Sequence, residues 1–218
     1  MSAVELRMRP EYGPTLGRLL APRWRASSRS LRAAVVAAGV GALLLVVAVA
    51  LTLENAHYSR GGSVPFAFSY RGLYRVAPDP GGYVKIQSRY PDGSLKYSYA
   101  VASLKVPAYA GNISGELPVF ATLYIAGLRR RYPDLVLRGE GKTRVNTVPG
   151  YHVLYTAGVD GRQMLGRDVL LLPPRPAVRE GVAIEMLTSP TATAQVKAPN
   201  EVASAGVLLR PLKTFTFG

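Results

Sequence analysis

The chain has 218 residues, 27 Lys and Arg against 13 Asp and Glu, a net charge of +14 and no cysteine. That length holds one ordinary domain plus accessory segments. The missing cysteines exclude disulfides, thiol catalysis, iron–sulfur clusters, cysteine zinc sites and a lipidated-cysteine anchor.

Residues 1–32 are rich in Arg, Pro and Ser, with Pro10, Gly13, Pro14 and Pro22 interrupting any helix. They read as a basic cytoplasmic tail, either lying on anionic inner-leaflet lipid or acting only as a topology signal. Residues 33–53, AAVVAAGVGALLLVVAVALTL, are 21 residues without a charge or a proline. At about 1.5 Å per residue such a helix reaches roughly 30 Å, the hydrocarbon thickness of a bilayer. A transmembrane helix is therefore expected. Seven arginines (Arg7, Arg9, Arg18, Arg23, Arg25, Arg29, Arg32) precede it, whereas Arg60 alone follows closely. The positive-inside rule then places the N-terminus in the cytoplasm and the remainder outside, as a single-pass protein of the plasma (cell) membrane. A cleaved signal peptide, with Ala48-Val49-Ala50 as the small-residue site, is the competing reading; the apolar run is long for one. Ala34, Ala38 and Ala42, with Ala33, Ala37 and Gly41, give small-residue stripes that suit helix–helix association through the span.

Residues 54–64, ENAHYSRGGSV, read as a linker, and residues 65–218 as an extracytoplasmic α+β domain. GYVKIQSRY and LKYSYAVASLKV, separated by PDGS, form an expected hairpin. In SGELPVFATLYIAGLRRRYP, Leu117, Phe120, Ala121, Tyr124 and Leu128 fall at helical spacing, with Ser114 as N-cap and Pro133 as stop. Arg129, Arg130 and Arg131 occupy the last turn, where cations favour the helix dipole. They are the candidate contact for an anionic partner, against the competing reading of a solvated helix end.

The next segment, RGEGKTRV, carries the closing letters of a phosphate-binding loop. The full pattern needs a glycine five residues before Gly141, and Val136 stands there. A strand-like RVNTV also follows where a helix N-terminus is required. The stretch is therefore read as a turn entering a strand. GYHVLYTAGV and GRQMLGRDVLLLP are joined at Asp160-Gly161, a favoured hairpin turn. These strands, and GVAIEML, are apolar on both faces and require a sheet covered on both sides. NEVASAGVLLRP is expected as a second helix from Asn200 to a stop at Pro211, followed by a short strand, KTFTF. The fold class is α+β: an antiparallel sheet covered by helices, preceded by one transmembrane helix.

This element order resembles the family of the PsbP extrinsic photosystem subunit and the LpqN-type bacterial lipoproteins. The likeness runs over about 66–218, through FSYRGLYRV, the helix ending RRRYP, the meander GYHVLYT and GRDVLLLP, and the closing LKTFTF. It implies an α/β/α sandwich whose relatives mostly bind or help assemble other proteins. A lipobox cysteine is absent here, and the transmembrane anchor replaces it.

Chemistry has few carriers. The two histidines, His57 and His152, have no acidic partner at ligand spacing, so no metal site and no cofactor is expected. Asp160 and Asp168 read as turn and solvent residues of a hairpin. From residue 33 onward 20 Lys and Arg face 11 Asp and Glu, a net +9, which favours anionic partners. Nucleic acid is not expected outside a membrane. The resulting expectation is a non-enzymatic binding or assembly domain in a bacterial envelope, next to the lipid bilayer and facing another envelope protein or an anionic envelope component. The alternative is a cell-envelope hydrolase or transferase whose dispersed carboxylates meet in the fold.

Overall fold

The computed structural model of the protein describes residues 28–52, 55–71, 75–77, 81–107, 113–174 and 179–218. The basic tail lies outside these residues apart from its last five. The chain divides into two compact units, one reaching Leu51 and one starting at Thr52.

All but the last residue of helix α1, Arg29–Thr52, belongs to the first unit. Its leucines and valines are turned outward, with Leu43, Leu44, Leu45 and Val46 all more than 60% exposed. By length and composition the helix is able to cross a membrane.

The second unit holds two antiparallel sheets. Strands β1 (Asn55–Arg60), β2 (Phe66–Arg71) and β10 (Thr216–Phe217) form a small one, in the order β1-β2-β10. Strands β3 (Arg75–Ala77), β4 (Gly82–Arg89), β5 (Leu95–Lys105), β6 (Val136–Val145), β7 (Val148–Val159), β8 (Arg162–Leu171) and β9 (Glu180–Thr188) form a seven-stranded sheet, ordered β3-β4-β5-β9-β8-β7-β6. Helix α2, Ile113–Arg131, connects β5 to β6 and packs on one face of this sheet. The other face carries the small sheet, a 3-10 turn at Pro199–Glu201 and the short helix α3, Leu209–Lys213. The expected α+β architecture with a doubly covered sheet is therefore present.

The apolar periodicity explains the layers. Leu117, Ala121, Ile125 and Leu128 are buried on the sheet side of α2. Along β8 and β9, Val169, Leu171, Val182, Ile184 and Met186 point to the opposite face, into a core shared with Phe66, Phe68 and Phe215. Phe68 meets the Tyr99 ring at 5.0 Å, joining the two sheets through an aromatic contact.

Four expectations change in detail. The linker 54–64 contains β1, whose Tyr58 packs on Phe66 and Phe68 and so gives polar NAHYSR a reason to pair with β2. GEGKT is the middle of β6, and the turn comes later, at Asn146, which takes φ 53. The single C-terminal helix is replaced by the 3-10 turn and α3, because Ala203 and Gly206 adopt positive φ and interrupt the helical path. Helix α2 starts at Ile113, one residue before the expected cap Ser114.

Candidate functional site

The C-terminal half of α2 lies over β7. Tyr124 and Arg131, seven residues apart, occupy the same face two turns from each other. Below them the register sets a second layer. Tyr155 of β7 stands opposite Gly166 of β8, and Asp168 of β8 stands opposite Glu185 of β9. Gly166 is required here: a Cβ at that position would collide with the Tyr155 ring, which lies across the bare backbone.

The side chains form one network. The Tyr155 hydroxyl donates to Asp168 Oδ1 at 3.1 Å, and the Tyr124 hydroxyl donates to Asp168 Oδ2 at 2.8 Å. The Tyr124 hydroxyl also lies 3.3 Å from Glu185 Oε1, while Arg131 Nη1 donates to Glu185 Oε2 at 2.7 Å. Tyr132 stacks beside Tyr155 with centroids 6.1 Å apart.

Asp168 is fully buried, and no cation pairs with it directly among the described residues. Burial pushes its carboxyl well above the usual carboxylate range, and the charge of Glu185 adds to this against the tyrosine hydrogen bonds. Tyr124 has one hydroxyl proton for two carboxylates. A proton held on Asp168 supplies the missing hydrogen and removes the repulsion between the facing acids. Burial, then the charge of Asp168, likewise holds Tyr124 and Tyr155 protonated well beyond the usual tyrosine range. For Arg131, burial opposes the charge but the bond and charge of Glu185 outweigh it, so the guanidinium is held protonated above its ordinary value.

Beside this network, over the part of the sheet that carries Ala100 and Ala102, is a cavity of about 280 Å³. Lys85, Ser98, Arg131, Tyr132, Tyr155 and Glu185 contribute its polar lining. Asp168 does not reach it. On the outward side of α2, Val119 and Leu123 are each 61% exposed and one turn apart. Arg129 and Arg130 follow at the exposed end of the helix.

The three candidate arginines thus separate. Arg129 and Arg130 remain in solvent, whereas Arg131 is engaged with Glu185. Asp160 sits in the β7–β8 turn at φ 52, next to Gly161 at φ 72, and pairs with Arg89 at 2.9 Å. Asp168, expected in solvent, is instead the most enclosed acid among the described residues. The signal for it was present: a lone carboxylate inside GRDVLLLP, a strand apolar on both faces, has no solvent side to turn to. Glu185 inside GVAIEML carries the same signal. His152 is half-buried, and no group of three or more His, Asp or Glu residues able to hold a metal converges among the described residues.

A long helix over one face of an antiparallel sheet makes this an α+β domain, and its fold is PsbP-like. Its structure is similar to that of CyanoP, the cyanobacterial PsbP of Synechocystis, with a TM-score of 0.51 at 12% identity over 76% of this chain and 94% of that one. It is similar also to LpqN of Mycobacterium tuberculosis, described as involved in cell envelope biogenesis, with a TM-score of 0.50 at 8% identity over 75% and 91%. No family model matches the chain, and no curated protein matches it in sequence. At these identities the likeness is one of fold.

Proposed function

We propose that the chain is a single-pass protein of a bacterial cell membrane whose PsbP-like domain is extracytoplasmic and binds an envelope partner with an acidic surface, without catalysis. The observation that carries this reading is the outward side of α2. Val119 and Leu123 offer exposed apolar area, and Arg129 and Arg130 add positive charge at its end. An apolar patch rimmed by cations suits a protein face of opposite charge, with steering from the basic domain around it. The orientation rests on the seven arginines before α1. The likeness to LpqN, described as involved in cell envelope biogenesis, supports the location.

Weighing against a hydrolase is the state of the two acids that meet. Glycosidase-type chemistry needs two carboxyl groups facing one substrate. Here Asp168 is enclosed beneath tyrosines, and Glu185, the acid lining the cavity, is bound by Arg131.

Site-specific photo-crosslinkers placed at Leu123 and Arg130 in living cells test the reading. A discrete protein adduct from both positions, absent from a control at Lys142 on β6, is expected. Equal adducts at all three positions would reject α2 as the binding face. Protease treatment of intact cells that spared the domain would reject the orientation.

A further inference from the structure

Strand β5 alternates large and small side chains. Tyr97, Tyr99 and Val101 turn into the core shared with the small sheet, while Ser98, Ala100 and Ala102 turn to the face that carries α2. Protein interiors are close-packed, so three small side chains in a row on a covered face leave room unless a neighbour fills it. Here the room remains, because Ser98, Ala100 and Ala102 all line the cavity of about 280 Å³. Its floor is recessed: Ala100 is 5% exposed and Ser98 4%.

The register places charges on either side of that floor. Lys85 of β4 stands opposite Ala100 of β5, and Ala100 stands opposite Glu185 of β9. All three share one face. Neighbouring strands are about 4.8 Å apart, so the backbones carrying Lys85 and Glu185 are about 10 Å apart, with only a methyl group between them. Glu185 is already answered, since Arg131 donates to it at 2.7 Å. Lys85 is half-buried, lines the same cavity and has no ion pair among the described residues. Two cations and one carboxylate line the space, and Lys85 carries the charge left over.

We propose that this cavity binds a small organic carboxylate, with the acid group on Lys85 and a compact apolar body on Ala100 and Ala102. Leu187 and the rings of Tyr132 and Tyr155 complete the apolar lining, and Ser98 adds a hydroxyl for the bound acid. At about 30 Å³ for a water in the liquid, the space holds about nine waters, which a ligand of roughly that many non-hydrogen atoms replaces. A single negative charge is favoured over two, because one cation is left to balance it and Glu185 on the far wall repels a second. The acid is either a free small molecule or the carboxylate end of a peptide. The site is separate from the outward side of α2, which the proposed protein contact uses.

The floor of the cavity reports its own occupancy. The full chain in detergent micelles, with its alanine methyl groups labelled with carbon-13, is titrated by NMR with sodium benzoate at ionic strength held constant with chloride. A saturable shift of the Ala100 and Ala102 resonances is expected, while Ala203, buried on the other face of the sheet, stays unmoved. Benzamide has the same shape without the charge and is expected to bind more weakly by about tenfold or more. Phenyl phosphate, with its second charge, is expected to bind more weakly than benzoate. Lys85→Met is expected to weaken benzoate by about tenfold or more and to leave benzamide unchanged, a split that a collapsed cavity would not give. N-acetylphenylalanine in a parallel arm separates the sources: binding tighter than benzoate by about tenfold or more assigns the site to a peptide end, and anything less to a free acid. The absence of a saturable shift with both benzoate and N-acetylphenylalanine overturns the proposal. So do equal affinities for benzoate and benzamide, tighter binding of phenyl phosphate, or benzoate binding undiminished in Lys85→Met. The comparison of acid, amide and phosphate uses the parent chain and decides the matter even where Lys85→Met fails to fold.

Discussion

Asp168 and Glu185 face each other as cross-strand partners on β8 and β9, and the Tyr124 hydroxyl stands between them at 2.8 Å and 3.3 Å. Like charges placed directly opposite destabilise a sheet, and one of these is fully buried. The arrangement is consistent only if the buried member keeps its proton, and that has a consequence for stability.

Above pH about 4 the unfolded chain releases the Asp168 proton that the native state retains. Protons are then bound preferentially by the folded form, so raising the pH from there through the elevated native titration point lowers stability. Asp168→Asn cannot ionise, yet it keeps one acceptor for Tyr155 and one donor for the Tyr124 oxygen. It is expected to gain on the native protein as pH rises from about 4 to about 8, by about 1.4 kcal/mol for each unit of native shift spanned. Urea unfolding at several pH values measures this. A difference between the two proteins that stays constant with pH would mean that Asp168 is ionised in the fold.

The tyrosine and the arginine contribute unequally. Arg131 is half exposed, so its pair with Glu185 is screened, and Arg131→Met is expected to cost about 1 kcal/mol or less. Tyr124→Phe removes the hydroxyl that partners an enclosed carboxyl and is expected to cost about 1–3 kcal/mol. Because both residues reach Glu185, a double-mutant cycle is expected to show coupling of about 0.5 kcal/mol or more. Additive losses would indicate that the two contacts are independent.

How much of this could be read beforehand depends on how local each cause is. Gly93 and Asp160-Gly161 announce their hairpins because turn chemistry is set by two or three residues. Helix α2 declares itself through Leu117, Ala121 and Leu128. The segment after Asn200 has a helical spacing too, but Ala203 and Gly206 turn left-handed there, and the chain follows the burial of Val202, Leu208, Leu212 and Phe215 instead. For the site, Arg129 to Arg131 is visible as a basic helix end. That Arg131 is taken by an acid 54 positions later depends on β9 lying beside β8, a pairing no local pattern encodes.

Glycine positions offer a sharper contrast. A methyl group at Gly166 would strike the Tyr155 ring and drive it from Asp168, so Gly166→Ala is expected to cost about 1–3 kcal/mol through overpacking. At Gly139 a Cβ would meet Leu154 Cδ1 at 3.8 Å, an ordinary contact, without a left-handed backbone to oppose it. Gly139→Ala is therefore expected to be neutral or to stabilise by about 0.4–1 kcal/mol through reduced freedom of the unfolded chain. Thermal unfolding ranks the two, and a Gly166→Ala protein as stable as the parent would displace the tyrosine clamp as the reason for that glycine.

Helix α1 supplies the remaining prediction. Leu43, Leu44 and Leu45 are more than 60% exposed, and that exposure is accounted for if lipid is the solvent. An arginine near the middle of a membrane helix costs about 2.5–3.5 kcal/mol of insertion free energy. Leu44→Arg is therefore expected to move a large share of the protein out of the carbonate-resistant membrane fraction, whereas Leu44→Ile leaves it there. The same fractions carry a second measurement. An uncleaved anchor keeps the whole 23.4 kDa chain, while cutting after the Ala48-Val49-Ala50 site removes the helix and releases a shorter soluble form. An intact mass in the membrane fraction, lost on Leu44→Arg, is the outcome a spanning helix requires. A shortened mass in the parent protein would make α1 a signal peptide.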